Sequence, residues 1–551
     1  MDAKLIDKLK KSIDGDVAVD DETLSEFSHD ASIFEVKPEL VVYPKKSSDV
    51  KALVTFVNSH KKESPHLSLT GRSAGTDMSG GALNDSIIVS FSKYFDHIKS
   101  IKDGLATVEP GVYYRDFEDE TLKHDLIFPS YPASREICAI GGIVNNNSGG
   151  EKSLEYGKTE KYIDSLKVVL SDGNEYTFHA LDKKGLAKKQ GLKNFEGEIY
   201  RKMFKLINDN YDDLIKAKPI VSKNSAGYFL WNVYDREKEI FDLTKLFCGA
   251  QGTLGLVTEV TFKLVPTKRF SEMIVIFLNN FDHLSEVVKK VMPYKPESFE
   301  TYDDHTLKLA IKFFSSFAKK LGTKNFILTG WHFLPEFWMM LSGGIPKLVL
   351  QVEFAGDERD ILTDKIASLR SEISAMNLKT HVAPTKKAQK KYWLIRRESF
   401  NLLRHNIKDK HASPFIDDFA VLPQYLEEFL PKLNEIFAKY PHLVYTIAGH
   451  LGDGNFHIIP LMKIENPQER ELIPKLSEEV YDLVINYKGT ITAEHNDGLI
   501  RTPYLPKMYG EKICKLFEQT KKIFDPENIF NPRKKTGGDL DFAMKHIRLH
   551  W

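Results

Sequence analysis

Cysteine is scarce in this chain. Three occur among 551 residues, Cys138, Cys248 and Cys514. They are far apart, odd in number and outside any C-x-x-C spacing, which argues against a disulfide framework or an iron–sulfur cluster and for a reducing compartment. Net charge is also missing: 77 Lys and Arg balance 77 Asp and Glu. The totals therefore give no reason to expect nucleic acid or an anionic surface as partner. Lys-rich stretches such as Lys183-Lys184 and Lys188-Lys189 read as solvated faces. Long apolar runs are absent, with none near the roughly 18 residues of a membrane span. Met1 to Lys11 alternates apolar and charged residues as an amphipathic helix does and lacks the apolar core of a signal peptide. The expectation is a cytoplasmic chain.

A chain of this length exceeds one ordinary core and suggests roughly two to four domains. Leu40-Val41-Val42-Tyr43 reads as a strand ending at Pro44. Ser47-Ser48-Asp49 then reads as a helix cap, with Val50, Leu53, Val54 and Val57 on the apolar face. Further strands follow at Leu67-Ser68-Leu69-Thr70, Ile87 to Phe91 and Leu105 to Val108, so the opening argues an α+β or α/β domain. After Val265-Pro266 glycine density falls and longer strand and helix patterns take over, which puts a boundary near Pro266. Phe326 to Leu350 is rich in large apolar residues, Trp331, Phe337 and Trp338 among them, but is interrupted by His332, Pro335, Glu336 and Pro346. It reads as core or pocket lining; the alternative is an interfacial patch touching a membrane or a quinone.

Three Gly/Ser/Asn-rich loops stand next to strands. They are Gly71-Arg72-Ser73-Ala74-Gly75-Thr76-Asp77, Ile140-Gly141-Gly142 to Ser148-Gly149-Gly150, and Gly249-Ala250-Gln251-Gly252-Thr253-Leu254-Gly255-Leu256-Val257. Backbone N–H groups approach a phosphate only where side chains are small, so such loops suit a dinucleotide pyrophosphate. None matches the G-x-G-x-x-G or G-x-x-x-x-G-K-[ST] fingerprints, and each alone is weak. Clustered within residues 71–257, they point to a cofactor.

The run Gly449-His450-Leu451-Gly452-Asp453-Gly454-Asn455-Phe456-His457 places two histidines around a Gly-Asp-Gly-Asn turn between β-branched and aromatic flanks. It reads as a hairpin that brings two imidazoles together. Glu494-His495 follows downstream. Glu494 would complete a His, His, Glu set with an open position, the ligand set of a metal centre that binds substrate. The other reading is two histidines that end strands.

The motifs, taken in order, resemble the flavin-linked D-2-hydroxy-acid dehydrogenases of the vanillyl-alcohol-oxidase flavin fold, which include D-lactate, glycolate and D-2-hydroxyglutarate dehydrogenases. The resemblance runs from about residue 38 to about residue 533. It implies an α+β fold: a two-subdomain PCMH-type FAD-binding domain over 1–265, a cap domain with a mainly antiparallel sheet over 266–500, and a segment over 501–551, with Asp525-Pro526 and Asn531-Pro532, that returns to the FAD domain. It places non-covalent FAD on Arg72, Ser73, Ala74, Gly75, Thr76, Asp77 and Ser79 of the first loop. Pro132, Ser134, Gly141, Gly142, Asn147, Ser148, Gly149, Tyr156 and Gly157 follow the second flavin motif. Gly252, Thr253, Gly255 and Val257 would hold the adenine end, and Asn531 closes the set. Cys138 and His124 lie where related oxidases bond the flavin, but the motif here resembles non-covalent members.

The same resemblance puts a divalent metal, usually zinc, on His450, His457 and Glu494, with the substrate's hydroxyl and a carboxylate oxygen on the metal. His495 would take the hydroxyl proton and hydride would leave the α-carbon for flavin N5. Adjacent strand residues face opposite sides, so Glu494 and His495 reach one site only if the backbone bends, which Asn496-Asp497-Gly498 makes plausible. Tyr392-Trp393-Leu394-Ile395-Arg396-Arg397-Glu398 resembles the family's W-x-x-R-E stretch; Arg396 or Arg397 would grip the substrate carboxylate. Asp417 and Asp418 either orient metal ligands or cap a helix. Two departures stand out: Asn496 replaces the glycine after Glu-His, and Ile458-Ile459 stands where dicarboxylate-selective relatives often carry a polar residue. The expected activity is oxidation of a D-lactate-like 2-hydroxy acid. Electrons would go to an external acceptor (quinone, cytochrome or electron-transfer flavoprotein), since no iron–sulfur extension is seen. The alternatives are an oxidase using O2 and a non-catalytic flavin-binding subunit. Peripheral contact with the inner membrane and a homodimer stay open.

Overall fold

A computed structural model describes residues 1–312, 344–406 and 410–550. Trp331, Phe337 and Trp338 lie outside the described residues, as does the side chain of Glu398.

Three sheets carry the architecture. The first runs in the order Asp16–Ala18, Leu40–Tyr43, Ile87–Ser90, Leu69–Arg72, with its last three strands parallel. Joining parallel strands takes a crossover, and helix Ser47–His60 supplies it from Leu40–Tyr43 to Leu69–Arg72, which flank Ile87–Ser90. Its Val50, Leu53, Val54 and Val57 are fully buried against Leu40, Val42, Leu69 and Val89, joined by Leu9 of the N-terminal helix Ala3–Ser12. The expected Ser/Asp cap is not made: Lys46 is the N-cap and offers no side-chain bond. Asp49 turns back instead and accepts the backbone N–H groups of Lys45 at 2.8 Å and Asp14 at 3.1 Å.

The second sheet is antiparallel, in the order Ile98–Lys102, Leu105–Val108, Leu256–Lys263, Ile163–Val169, Glu175–His179. Its core takes in Met203 and Ile207 of helix Phe195–Asp209 and Phe517 and Phe524 of helix Leu505–Phe524. The segment after that helix returns to the first sheet. Leu69 N–H donates to Ile529 O and Asn531 N–H to Leu69 O, so the segment lies alongside that strand. Asp525 fixes the turn before it by accepting the N–H groups of Ile529 and Phe530.

The third sheet has seven strands among the described residues, all antiparallel, ordered Lys379–Ala383, Phe270–Leu278, Leu348–Gly356, Ser298–Asp303, Ile447–His450, Asn455–Ile458, Phe419–Ala420. Alternation gives the sheet two unlike faces. Ile274, Ile276, Leu350, Val352 and Phe299 pack on Leu362, Ile366, Leu369 and Ile373 of helix Arg359–Ser374. The opposite face carries Met273, Val275, Val349 and Tyr302 against Tyr392, Trp393 and Ile395 of helix Lys386–Asn406. Register puts four polar residues on that second face too: Gln351 opposite Glu300, and Glu353 opposite Ser298. Among the described residues no helix is long and apolar enough to cross a membrane.

Candidate active site

One cavity of about 1390 Å³ runs along all three glycine loops and ends on the second face of the large sheet. That exceeds the ~300–1,000 Å³ of ordinary ligand pockets, so a dinucleotide and a small acid fit together. Arg72, Ser73, Ala74, Gly75, Thr76 and Asp77 line it, as do Pro132, Ser134, Gly141, Gly142, Ser148 and Gly149, and Gly252, Gly255 and Val257. At Gly142 and Gly252 an added Cβ would stand in open space, so the backbone there faces the cavity bare. These residues fit an FAD. Other residues of the expected set serve the wall from behind. Ser79 donates N–H and Oγ–H to Asp77 Oδ2 at 2.9 and 2.8 Å. Asn147 accepts Glu160 N–H at 3.0 Å, and Thr253 Oγ1 shares a 2.6 Å bond with Tyr228 Oη. Asn531 donates to Gly81 O and Gln251 O and accepts from Thr70 Oγ1, joining the first and third loops. Tyr156 lies under the ammonium of Lys268, and Gly157 has φ 78°; neither lines the cavity. The Arg72 guanidinium donates to Phe27 O and His29 O and stacks on Phe27, which shapes its loop.

The hairpin forms, with Ala448 opposite His457 and His450 opposite Asn455. The two histidines are therefore diagonal neighbours rather than a facing pair, because the turn Leu451–Asp453 with Gly454 at φ 63° sets the register. They still share the polar face of the sheet, rings 5.2 Å apart and perpendicular. His450 Nδ1–H donates to Glu300 Oε1 at 2.7 Å, and His457 Nδ1–H to the Asp417 carbonyl at 2.9 Å. Both Nε2 atoms are thereby turned to one point, where Glu494 Oε1 lies 3.2 Å from His450 Nε2 and 3.3 Å from His457 Nε2. Donors 2.0–2.1 Å from a tetrahedral ion would stand about 3.3 Å apart, so two nitrogens and an oxygen at these spacings fit a zinc-like cation. Outer-sphere acceptors on both Nδ1 atoms are what such imidazole ligands need. Burial works against the charge of Glu494, but Lys223 and His450 hold its carboxyl well below the usual range. Burial lowers His457, so it stays a neutral donor.

Asp417 and Asp418 do different jobs. Asp418 Oδ2 accepts Thr492 Oγ1–H and the backbone N–H groups of Ala493, Glu494 and His495, at 2.7 to 2.8 Å, while Oδ1 accepts from Asn455. The backbone curls around this one carboxylate, and that curl lets Glu494 and His495 face the same cavity. Asn496 continues the bend at φ 71° and donates to Gly249 O at 3.0 Å. Asp417 Oδ2 accepts His495 Nδ1–H at 2.6 Å and Oδ1 pairs with Arg501, a fully buried guanidinium. His495 stacks on His457 with centroids 5.0 Å apart, and its Nε2 lies 4.0 Å from Glu494 Oε1. Burial lowers its proton affinity, but Asp418 and Asp417 push it up to about 9. A cation in the neighbouring triad acts in the opposite direction.

Both candidate arginines line the cavity, and both meet carboxylates from other elements. Arg396 donates Nε–H to Glu300 Oε2 at 3.1 Å. Arg397 makes a bidentate pair with Glu151 and stacks on Trp393. Glu300 thus bridges Arg396 and His450; burial raises its carboxyl, but His450 and Arg396 hold it below its usual value. Ile459 also lines the cavity, with Lys386 and Lys390.

Three residues at this site went unread in the sequence. Glu300 sits in an alternating strand where nothing marks one acid as special. Lys223, 1% exposed, donates to Glu494 Oε2 at 3.0 Å. Lys158, also buried, donates to Ala493 O at 2.6 Å and Asn224 O at 2.8 Å. The run Lys223-Asn224-Ser225-Ala226-Gly227, small and polar before an aromatic stretch, was the one available signal.

Comparison with known proteins bears on this arrangement. Residues 38–178 match the FAD-binding domain, and residues 267–535 match the C-terminal domain of FAD-linked oxidases. The chain is 27% identical over 527 residues to a D-2-hydroxyglutarate dehydrogenase of Pseudomonas putida, covering 94% of this chain and 50% of that protein. It thus spans about half the length of that relative. It is 27% identical to the glycolate oxidase subunit GlcD of Bacillus subtilis over 93% of this chain and 92% of that one, and 26% identical to a D-lactate dehydrogenase of Archaeoglobus fulgidus over 90% of each. Among solved structures, p-cresol methylhydroxylase superposes with a TM-score of 0.68 at 16% identity, over 98% of this chain and 97% of that one. The fold is of that type.

Proposed function

The chain carries, in order, the FAD-binding domain and the C-terminal domain of the FAD-linked oxidases, and from that membership we propose that it oxidises a D-2-hydroxy acid to the 2-oxo acid. The observation that carries the reading is that His450, His457, Glu494 and His495 converge on the cavity lined by the glycine loops. A 2-hydroxy acid must lose a proton from its hydroxyl and a hydride from its α-carbon as the C=O bond forms. When bound, the metal supplies a Lewis acid for the hydroxyl and the flavin an acceptor for the hydride. His495 Nε2 accepts the hydroxyl proton, because its Nδ1–H is committed to Asp417. Arg396 grips the carboxylate: it donates Nε–H to Glu300, whereas Arg397 is held in a bidentate pair by Glu151. The substrate is D-lactate-like, a preference supported by Ile459 on the cavity wall. D-2-hydroxyglutarate is the second reading, favoured by Lys386 and Lys390 on the same cavity, which would suit a second carboxylate.

Anaerobic bleaching of the flavin spectrum by D- and L-2-hydroxy acids, with and without chelator, tests this. Bleaching by a short D-acid that chelator abolishes is the expected result. Faster bleaching by the dicarboxylate moves the substrate to D-2-hydroxyglutarate. A yellow protein that no 2-hydroxy acid reduces would sink the assignment and favour a flavin-binding subunit.

A further inference from the structure

The two carboxylate oxygens of Glu494 have unlike neighbours. Oε1 faces His450 Nε2 and His457 Nε2. Oε2 faces the ammonium of Lys223 at 3.0 Å. Lys223 also lies 3.4 Å from Asp453 Oδ2 and donates to Gly150 O at 3.3 Å, while Asp453 Oδ1 accepts Ser222 Oγ–H at 2.6 Å. Gly149 makes room for this arrangement: a Cβ there would lie 3.2 Å from Glu494 Oε2 and 2.8 Å from Ser153 Oγ.

We propose that Lys223 is a positioning residue that holds Glu494 to one-oxygen ligation and so keeps two positions on the metal for the hydroxyl and carboxylate oxygens of the substrate. The inference rests on the reading of His450, His457 and Glu494 as metal ligands. A carboxylate left free beside a cation can turn and coordinate through both oxygens. Here the turn would draw Oε2 out of a charge-assisted hydrogen bond and leave a buried ammonium short of a partner, which opposes it. Three protein donors then leave up to two positions on a five-coordinate ion. A two-oxygen glutamate would take one of them, and a chelating substrate would have to displace it.

The test uses the FAD-loaded holoenzyme carrying Mn2+, whose exchangeable water ligands are counted by water-proton relaxation. Lys223→Met should lower the relaxivity to about two-thirds, as Oε2 fills one of the roughly three positions that a six-coordinate Mn2+ keeps open beside three protein donors. The KM for the hydroxy acid should rise by roughly the tenfold or more typical of outer-sphere changes at a metal, with Mn2+ still bound one to one. The double variant K223M/D453N removes the ammonium together with the carboxylate it would strand, so the comparison survives a single variant that does not fold. Relaxivity equal to wild type in both variants overturns the proposal. Loss of Mn2+ with unchanged relaxivity per bound ion also overturns it, since that marks a merely structural lysine. Wild-type protein that binds no divalent cation fails the ligand reading itself, before any variant is compared.

Discussion

Replacing Asp418 by Asn tests whether one carboxylate organises both halves of the site. Its Oδ2 receives four hydrogen bonds, from Thr492 Oγ1 and three successive backbone amides, and the residue is fully buried. Hydrogen bonds to a charged acceptor contribute about 1.5–3 kcal/mol each and neutral ones about 0.5–1.5. Losing the charge should therefore cost roughly 1 kcal/mol per bond. Allowing for non-additivity within one cluster, the total is about 3 kcal/mol. At about 1.4 kcal/mol per factor of ten, the amides of Ala493, Glu494 and His495 should exchange hydrogen roughly 100-fold faster in D418N. Metal retention should fall with them, because Glu494 loses its placement. The sign with pH follows from the direction of the shift. Burial raises the Asp418 carboxyl, but His495 and Arg501 outweigh it and hold it below the usual range. Its stabilisation is thus fully present above the unfolded value near about pH 4 and is lost as pH falls through the folded value. Hydrogen exchange followed by mass spectrometry, beside a chelator competition, reads both effects. Exchange within threefold of wild type across 493–495 would refute the idea that this carboxylate holds the turn.

Gly75→Ala should release FAD, because residue 75 has φ 68° and a Cβ there would overlap the Arg72 guanidinium; flavin retained after gel filtration measures it, and stoichiometric FAD would contradict it. Arg396→Met should raise KM for the hydroxy acid far more than Arg397→Met, by about 10- to 100-fold for a lost carboxylate pair; equal effects in steady-state kinetics would remove the preference for Arg396. Asn496→Ala should lower the thermal midpoint through about 1–2 kcal/mol of left-handed strain and a lost bond to Gly249 O. Asn496→Gly should recover the strain but not the bond, and calorimetry of the pair separates the two contributions. Chelation should abolish turnover while FAD stays bound, and added Zn2+ should restore it; turnover surviving exhaustive chelation argues against a catalytic metal.

The fold was legible where local pattern and long-range packing agree. Val50, Leu53, Val54 and Val57 announce a helical face, and they pack as one. The His450 and His457 hairpin was legible for the same reason: turn residues and strand residues each pointed to it. Its register was not, since Leu451–Asp453 form a helical turn that shifts the partners by a diagonal. Asn496 at φ 71° was foreseeable because few residues other than glycine tolerate that region. Glu300 was not foreseeable, and Lys223 was marked only by the small, polar run that it opens. Each acts through a partner 150 or more residues away, for Glu300 His450 and for Lys223 Glu494, and sheet register and loop closure carry no signature in the residue itself. Asp417 and Asp418 could not be told apart from sequence. Their neighbours, His495 and the 492–495 backbone, are brought beside them by the chain's return.

The closing segment has a consequence for synthesis. Asn531 joins Thr70, Gly81 and Gln251, and its bond to Thr70 spans 461 positions of sequence. A ribosome releases residue 70 long before residue 531 exists, so the strand Leu69–Arg72 waits with one edge bare through most of translation. The nascent chain therefore cannot finish its cofactor pocket until the segment around Asn531 has emerged, and that exposed edge is where a chaperone or a protease would find it first.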